Sequence, residues 1–242
     1  MKGTLAVNGG ELLLDALRTN HIEYIFCCPG SEWVCLLDGL ARHYSNGENC
    51  PIYINCWHES VAVAMAMGYS KVTGRAPAVL LHDSVGPLHA AMAIRAAYHA
   101  GDPLLICTGD SSGKGDHEAD PVTGWTWVSR LADSGGVESL VRGYVKWSRK
   151  IDSPRDIQDA ITKGCRIAGQ PPAGPVLIAF SWQMLVSAQD APSVSFSMPT
   201  VAASGPPPEL LNHAAAVLIE SDQPVIITEY GAQNPEAVSN LV

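Results

Sequence analysis

The chain has 242 residues, of which 47% are hydrophobic and 16% are charged. This composition excludes an intrinsically disordered chain, which combines low hydrophobicity with high charge. The formal net charge is −9, and only 7% of the residues are aromatic. We therefore expect neither a nucleic acid nor an anionic membrane surface as a partner.

The cysteines and the N-terminus indicate the compartment. The first ten residues lack the apolar run of a signal peptide, and no stretch approaches the roughly 20 apolar residues of a membrane span. The seven cysteines form no C-x-x-C pair, and most lie in apolar runs. We expect a cytoplasmic protein with reduced, buried thiols and no metal ligands of its own.

The first part of the chain alternates helical and extended patterns. In chain order, the pattern predicts helix 10–19, strand 22–27, helix 31–42, strand 52–56, helix 58–74 and strand 78–82. A further helix has Pro87 near its first turn and Gly101 beyond its end, and strand 104–107 follows it. Near-continuous apolar strands that alternate with helices predict an α/β fold, in which helices cover both faces of a parallel sheet.

The second part begins with a polar, glycine-rich stretch, 111–139, which we expect to be a long surface loop. The pattern then predicts regular structure from 144–147, helix 153–169 with Ser153 as N-cap, strand 176–180, helix 209–220, strand 224–228, a turn at 230–232 and a new helix at 234.

The domain boundaries follow from the proline-rich segment 187–208, which we expect to be a linker. Residues 1–186 then form one α/β domain. Residues 209–242 form the incomplete start of a second, because one strand and one and a half helices cannot bury a core. Either the chain is a fragment or something else supplies the missing part.

Glu59 is the strongest candidate functional residue. It lies at the junction of a predicted buried strand and a helix rich in small residues, and the carboxyl ends of parallel strands are where open α/β sheets bind ligands. The alternative is an acid placed at a helix N-terminus because the helix dipole favours it there.

The sequence around Glu59 carries a family resemblance. The pattern H-E-x-x-A-x-x-x-A-x-G-Y-x-x-x-T-G, which starts at His58, resembles the pyrimidine-binding domain of thiamine diphosphate enzymes of the acetolactate synthase, pyruvate decarboxylase and benzoylformate decarboxylase group. Weaker similarities are F-x-x-P-G-S from Phe26, L-H-x-x-x-G from Leu81, K-W-S from Lys146 and G-P-V from Gly174. The resemblance spans about residues 9–185 and, weakly, 205–242.

The resemblance implies roles for individual residues. In this family a glutamate, here Glu59, hydrogen-bonds N1′ of the cofactor's aminopyrimidine and so helps the thiazolium C2 to lose its proton. The implied site residues are, for catalysis, Glu59 and His82; for cofactor binding, Glu59, Pro29, Gly30 and Gly86; and for substrate binding, Ser31, His82 and His89.

Several of these residues have a structural alternative. His82 could cap a backbone group at a strand end, Ser31 could be a helix N-cap, and Gly86 could serve only the turn between strand and helix. His89 stands where the group has asparagine, which suggests an altered substrate geometry.

The family holds the cofactor's diphosphate through Mg²⁺, with a G-D-G motif and a later asparagine in a separate domain. This chain has Gly109-Asp110-Ser111 and Gly115-Asp116-His117 but no G-D-G. The resemblance therefore implies Mg²⁺ ligands on a domain absent from the chain, and a diphosphate-binding domain or subunit as partner.

Two functions remain open. The first is the pyrimidine-binding portion or subunit of a thiamine diphosphate-dependent 2-oxo acid decarboxylase or carboligase. The second is a non-catalytic, truncated homologue that binds or regulates such an enzyme. A nicotinamide-binding enzyme is disfavoured, because no G-x-G-x-x-G follows a strand. We expect a homo- or hetero-oligomer, with chains pairing through rows of small residues: Ala62, Ala66 and Ser70, and Ala93 with Ala97.

Overall fold

A six-stranded parallel sheet forms the centre of the fold. The computed structural model describes residues 7–110, 135–186, 188–189, 205–227 and 238–240. The strands are β1 (Val7–Asn8), β2 (Tyr24–Cys27), β3 (Ile52–Asn55), β4 (Ala78–Leu81), β5 (Leu105–Asp110), β6 (Trp147–Ile151), β7 (Val176–Ser181) and β8 (Ala188–Gln189). The sheet order is β3-β2-β4-β5-β7-β6, with every pair parallel, while β1 and β8 form a separate antiparallel pair.

Helices cover both faces of this sheet. They are α1 (Gly9–Thr19), α2 (Val34–Ser45), α3 (Glu59–Thr73), α4 (Val85–Ala100), α5 (Ile157–Gly169), α6 (Trp182–Val186) and α7 (Pro208–Glu220). One apolar cluster joins the sheet to α1, α2 and α5, and a second joins its other face to α3 and α4. The predicted α/β class, with a parallel sheet between two helical layers, is confirmed.

Local sequence signals place the helix ends. Asn8 and Glu11 form a reciprocal capping box at the start of α1, because each side chain accepts the other's backbone N–H, at 2.9 and 3.1 Å. Helices α3 and α4 end at Gly74 and Gly101, which both have φ of 68°. Glycine adopts this left-handed conformation at little cost. These ends fix where each following strand begins.

Three local predictions differ from the structure in detail. The segment predicted as helix from residue 31 opens with a 3-10 turn, Ser31–Trp33, because Trp33 is fully buried and its Nε1 donates to the Leu81 carbonyl at 3.1 Å. Ser153 makes no side-chain capping bond; its carbonyl instead accepts Asp156 N–H and closes a 3-10 turn. Residues 142–144 also form a 3-10 turn, and β6 begins only at Trp147.

All seven cysteines are free, although only Cys27, Cys56 and Cys107 are buried and the other four are half-buried. The described helices include none long and apolar enough to cross a membrane.

The chain divides into two compact units, Met1–Phe196 and Ser197–Val242. In the second unit, α7 matches the predicted helix 209–220. Residues 224–227 form no strand, since no neighbouring strand pairs with them within 205–227. Of the predicted loop 111–139, residues 137–139 form a 3-10 turn and residues 111–134 lie outside the described residues. Most of the linker 187–208, Thr228, the turn at 230–232 and the helix start at 234 also lie outside them.

Candidate functional site

Glu59 begins α3 at the carboxyl edge of the sheet. His58, just before it, has extended backbone angles (φ −156°, ψ 146°), and its Nδ1 accepts the backbone N–H of Ser60 at 3.1 Å. This cap makes Glu59 the first helical residue, and its side chain is only 10% exposed. A carboxylate is thus withdrawn from water at the edge where α/β sheets bind ligands.

Two histidines flank the Glu59 carboxylate. His89 on α4 donates from Nδ1 to Glu59 Oε2 at 3.1 Å, and Nδ1 of His58 lies 3.9 Å from the same oxygen. The two imidazole rings stack, with centroids 5.4 Å apart and an interplanar angle of 13°. Ser60 Oγ donates to the His89 carbonyl at 2.8 Å and joins the starts of α3 and α4. His89 is therefore held against Glu59.

His82, at the end of β4, pairs with a second buried carboxylate. Its Nδ1 lies 2.8 and 3.1 Å from the two oxygens of Glu32, whose Oε1 also accepts the backbone N–H of Asp83 at 3.1 Å. The hydrogen bond to Glu32 raises the pKa of His82 above its ordinary value, against the opposing effect of burial, and the Glu59 charge adds to the rise. The Glu59 charge therefore acts on the Glu32–His82 pair.

Glycines make room for the Glu32–His82 pair. A Cβ on Gly30 would lie 2.0 Å from His82 Nδ1 and 2.4 Å from Glu32 Oε2, and a Cβ on Gly109 would lie 2.7 Å from Glu32 Cγ. Glu32 itself is 3% exposed. Sequence reasoning missed Glu32, because the residues that lie beside it, His82 and Gly109, are distant in the chain.

The turn after β4 orients His82. Asp83 has a φ of 33°, which is strained for a residue other than glycine. The turn is held because Thr108 Oγ1 donates to the Asp83 carbonyl and Gly86 N–H donates to the His82 carbonyl, both at 2.7 Å. A Cβ on Gly86 would lie 2.8 Å from Leu81 Cβ. Packing on Leu81 is therefore enough to require glycine here, and close approach to a cofactor stays a prediction.

The remaining predicted residues lie at the surface of the same edge. Pro29 and Ser31 are exposed, and the N-cap position of the turn Ser31–Trp33 is occupied by Gly30 and not by Ser31. Cys28 next to Pro29 is half-buried, and this burial raises the pKa of its thiol, to which the Glu59 charge adds. The structure thus brings the strand ends carrying residues 28–32, 59, 82 and 89 to one edge.

The arrangement provides two proton-handling groups. His82 uses Nδ1 for Glu32, so that Nε2 is the nitrogen that can exchange a proton with a ligand. Both described contacts of Glu59 use Oε2, which leaves Oε1 for a ligand's nitrogen. This carboxylate fits the aminopyrimidine of thiamine diphosphate.

The chain matches known proteins over most of its length. Residues 7–126 match the family described as thiamine pyrophosphate enzyme, N-terminal TPP binding domain. The chain is 24% identical over 239 residues to an acetolactate synthase of Bacillus subtilis, covering 98% of this chain and 38% of that protein. It is 27% identical over 177 residues to an acetolactate synthase large subunit of Haemophilus influenzae, covering 71% of this chain and 27% of that protein.

Solved structures show the same fold. A putative thiamin diphosphate-dependent enzyme from Mycobacterium smegmatis superposes with a TM-score of 0.66 at 26% identity, and benzoylformate decarboxylase from Polynucleobacter necessarius with 0.69 at 22%. Each match covers 90% of this chain and 38% of the other. The chain therefore spans well under half the length of these relatives.

Proposed function

Because the chain belongs, through residues 7–126, to the thiamine pyrophosphate enzyme N-terminal domain family, we propose that it forms the pyrimidine-binding part of a thiamine diphosphate-dependent 2-oxo acid decarboxylase or carboligase. The observation that carries this proposal is the Glu59 carboxylate, withdrawn from water at the carboxyl edge of the sheet. The acetolactate synthase relatives support the choice of substrate class.

Glu59 has the catalytic role in this proposal. When bound, thiamine diphosphate supplies a nucleophilic carbon and an electron sink. Oε1 of Glu59 would hold the ring nitrogen of the aminopyrimidine by a hydrogen bond and share its proton, while the His89 contact holds Oε2 in place. Partial burial strengthens this hydrogen bond, because water competes less for the carboxylate.

His82 and the neighbouring polar residues face the substrate. The Glu32 contact fixes the His82 ring and favours its protonated form, so Nε2 can give a proton to a developing carbanion or alkoxide. We assign the exposed Ser31 hydroxyl to the substrate carboxylate and place His89 at the pocket wall. Pro29, Gly30 and Gly86 shape the backbone around the cofactor ring.

The other half of the cofactor site comes from a partner. We assign the Mg²⁺ and diphosphate ligands to another domain or subunit, since the family's G-D-G motif is not in this sequence. The Haemophilus relative is described as a large subunit, which supports a multi-subunit assembly. We place the protein in the cytoplasm, where its seven free thiols stay reduced.

The test starts from the assembled protein. Co-purification of the chain from native extract, followed by mass determination of bound chains, identifies the diphosphate-binding partner. In that assembly, Glu59→Gln should slow deuterium exchange at the cofactor C2 by at least about 100-fold, because the amide cannot share the proton.

Glu209→Gln is the matched control, because Glu209 is exposed on α7, in the second unit. It should leave C2 exchange unchanged. Normal exchange in Glu59→Gln would contradict the proposal and favour the non-catalytic homologue instead.

A further inference from the structure

We propose that His58, Glu59 and His89 form a binding site for a divalent transition metal, with Zn²⁺ as the best fit. Each residue offers one ligand atom, and these atoms all lie within 4.8 Å of one another. Among the described residues, these three form the group of histidine, cysteine or acidic side chains that lie close enough to share a metal ion. This site is separate from the Mg²⁺ site that we assigned to another domain. It also revises our expectation from the sequence that the chain carries no metal ligands.

The donor set selects the metal. Two imidazole nitrogens and one carboxylate oxygen suit Zn²⁺ and its neighbours in the first transition row, whereas Mg²⁺ prefers oxygen ligands alone. Three protein ligands also leave a fourth position of a tetrahedral Zn²⁺ open to water or to a ligand.

The distances require only small movements. Glu59 Oε2 lies 3.1 Å from His89 Nδ1 and 3.9 Å from His58 Nδ1. Bonds of about 2.0–2.2 Å in a tetrahedral site place ligand atoms roughly 3.5 Å apart. The buried carboxylate is the fixed element, whereas the two histidine side chains are 52% and 58% exposed and can turn toward a common ion. To bind the ion through Nδ1, His58 gives up the hydrogen bond that it accepts from the Ser60 backbone N–H.

Burial holds Glu59 in place, and a contact from Ser60 holds the backbone of His89. Ser60 Oγ donates to the His89 carbonyl and fixes the start of α4 against α3, which limits the ordering that metal binding requires. The N-terminal dipole of α3 opposes a cation here, so the negative charge of Glu59 is essential to the site.

Metal binding would regulate the activity, a consequence that rests on the proposed function. An ion held by Glu59 occupies the carboxylate that the aminopyrimidine needs. Zn²⁺ should therefore inhibit until the cofactor displaces it. His89, where the resembling group has asparagine, makes this control particular to chains with histidine at this position.

The first experiment titrates the full 242-residue chain, reduced and freed of metal by chelation, with Zn²⁺ in a calorimeter. We expect one Zn²⁺ per chain, and at least a tenfold loss of affinity in each of His58→Asn and His89→Asn. His213→Asn, an exposed histidine on α7, is the matched control and should bind as the parent does. Unchanged affinity in both site variants would overturn the site.

Substitution with Co²⁺ separates this site from the seven cysteines. A spectrum with ligand-field bands but no sulfur-to-metal charge transfer supports histidine and carboxylate ligands. A strong sulfur band that persists in His89→Asn would place the metal on cysteines and overturn the proposal.

In the assembled protein, Zn²⁺ should suppress C2 exchange in the parent but not in His58→Asn, which removes a proposed metal ligand and leaves the His89 contact with Glu59 in place. If Zn²⁺ binds as described and exchange is insensitive to it, the metal site stands and the proposed role of Glu59 fails.

Discussion

Glu32 shows how one buried side chain sets the chemistry of an exposed one. Its carboxylate is 3% exposed, accepts from both His82 and the Asp83 backbone, and fills space that Gly30 and Gly109 leave open. Burying a charge without such partners would be costly. The cost is offset only if His82 carries its proton, so Glu32 and His82 act as a pair.

The pH dependence of this pair can be predicted. The raised pKa of His82 means that its folded form keeps a proton that the unfolded chain has already lost. The stabilisation is fully present below the ordinary histidine pKa and is lost as pH rises through the raised value. Stability should therefore fall as pH rises above the ordinary histidine pKa of about 6.5. Glu32→Gln should lower the His82 pKa and flatten this fall, as measured by NMR titration of the imidazole and by urea unfolding.

Glu48→Gln is the control for this measurement, because Glu48 pairs with a different histidine, His43. It should leave the His82 titration unchanged. An unshifted His82 pKa in Glu32→Gln would contradict the assignment.

The sequence pattern exposes only part of this residue-level chemistry. Glu59 and His82 could be singled out because each follows a short apolar strand directly, and strand ends meet at one edge of a parallel sheet. Glu32 could not be singled out from the sequence, because its role depends on Gly109 and His82, which are distant in the chain and lie beside it only in the folded structure.

At the scale of elements, long apolar or periodic segments were predictable and short ones were not. Strands β4 and β7 are continuous buried runs, whose composition alone indicates a sheet covered on both faces. The two-residue pair β1–β8 and the five-residue α6 carry no period to detect. Gly9, directly after β1, lies close to α6, since a Cβ at this position would come within 2.3 Å of the Met184 carbonyl oxygen.

Two glycines in the helices of the site should respond oppositely to alanine. In Gly86→Ala the new Cβ would meet Leu81 side-chain and backbone atoms at 2.8 and 3.2 Å, so we expect a loss of at least about 1 kcal/mol. Gly68, inside α3, has nothing within 4 Å of its Cβ position. Gly68→Ala should stabilise the isolated chain by about 0.5–1 kcal/mol, because alanine restricts the unfolded chain more. Urea unfolding of both variants measures the difference, and shifts of the same sign would contradict this account.

At the scale of the whole molecule, the structure places the candidate surface for chain pairing elsewhere than on the small-residue row of α3. The small-residue row Ala62, Ala66 and Ser70 is buried within the chain's own core and serves internal packing. The exposed apolar side chains on α3 and α4 include Val61, Met65, Val72, Leu88 and Met92, and Trp57, just before α3, is 94% exposed. We call these six residues the α3–α4 face. An apolar group of this kind on a folded chain indicates an interface.

We expect the chain to self-associate or to bind its partner through the α3–α4 face. Burying a methionine side chain contributes about 1.5–3 kcal/mol, and in a two-fold dimer each substitution acts twice. Met65→Lys and Met92→Lys should therefore each weaken association at least tenfold, since a tenfold change needs only about 1.4 kcal/mol. Ala41→Lys adds the same charge at an exposed position of α2, on the opposite side of the sheet, and should leave association unchanged. Sedimentation equilibrium measures all three. A parent chain that stays strictly monomeric up to about 100 μM, with no partner recovered by co-purification, would contradict this use of the face.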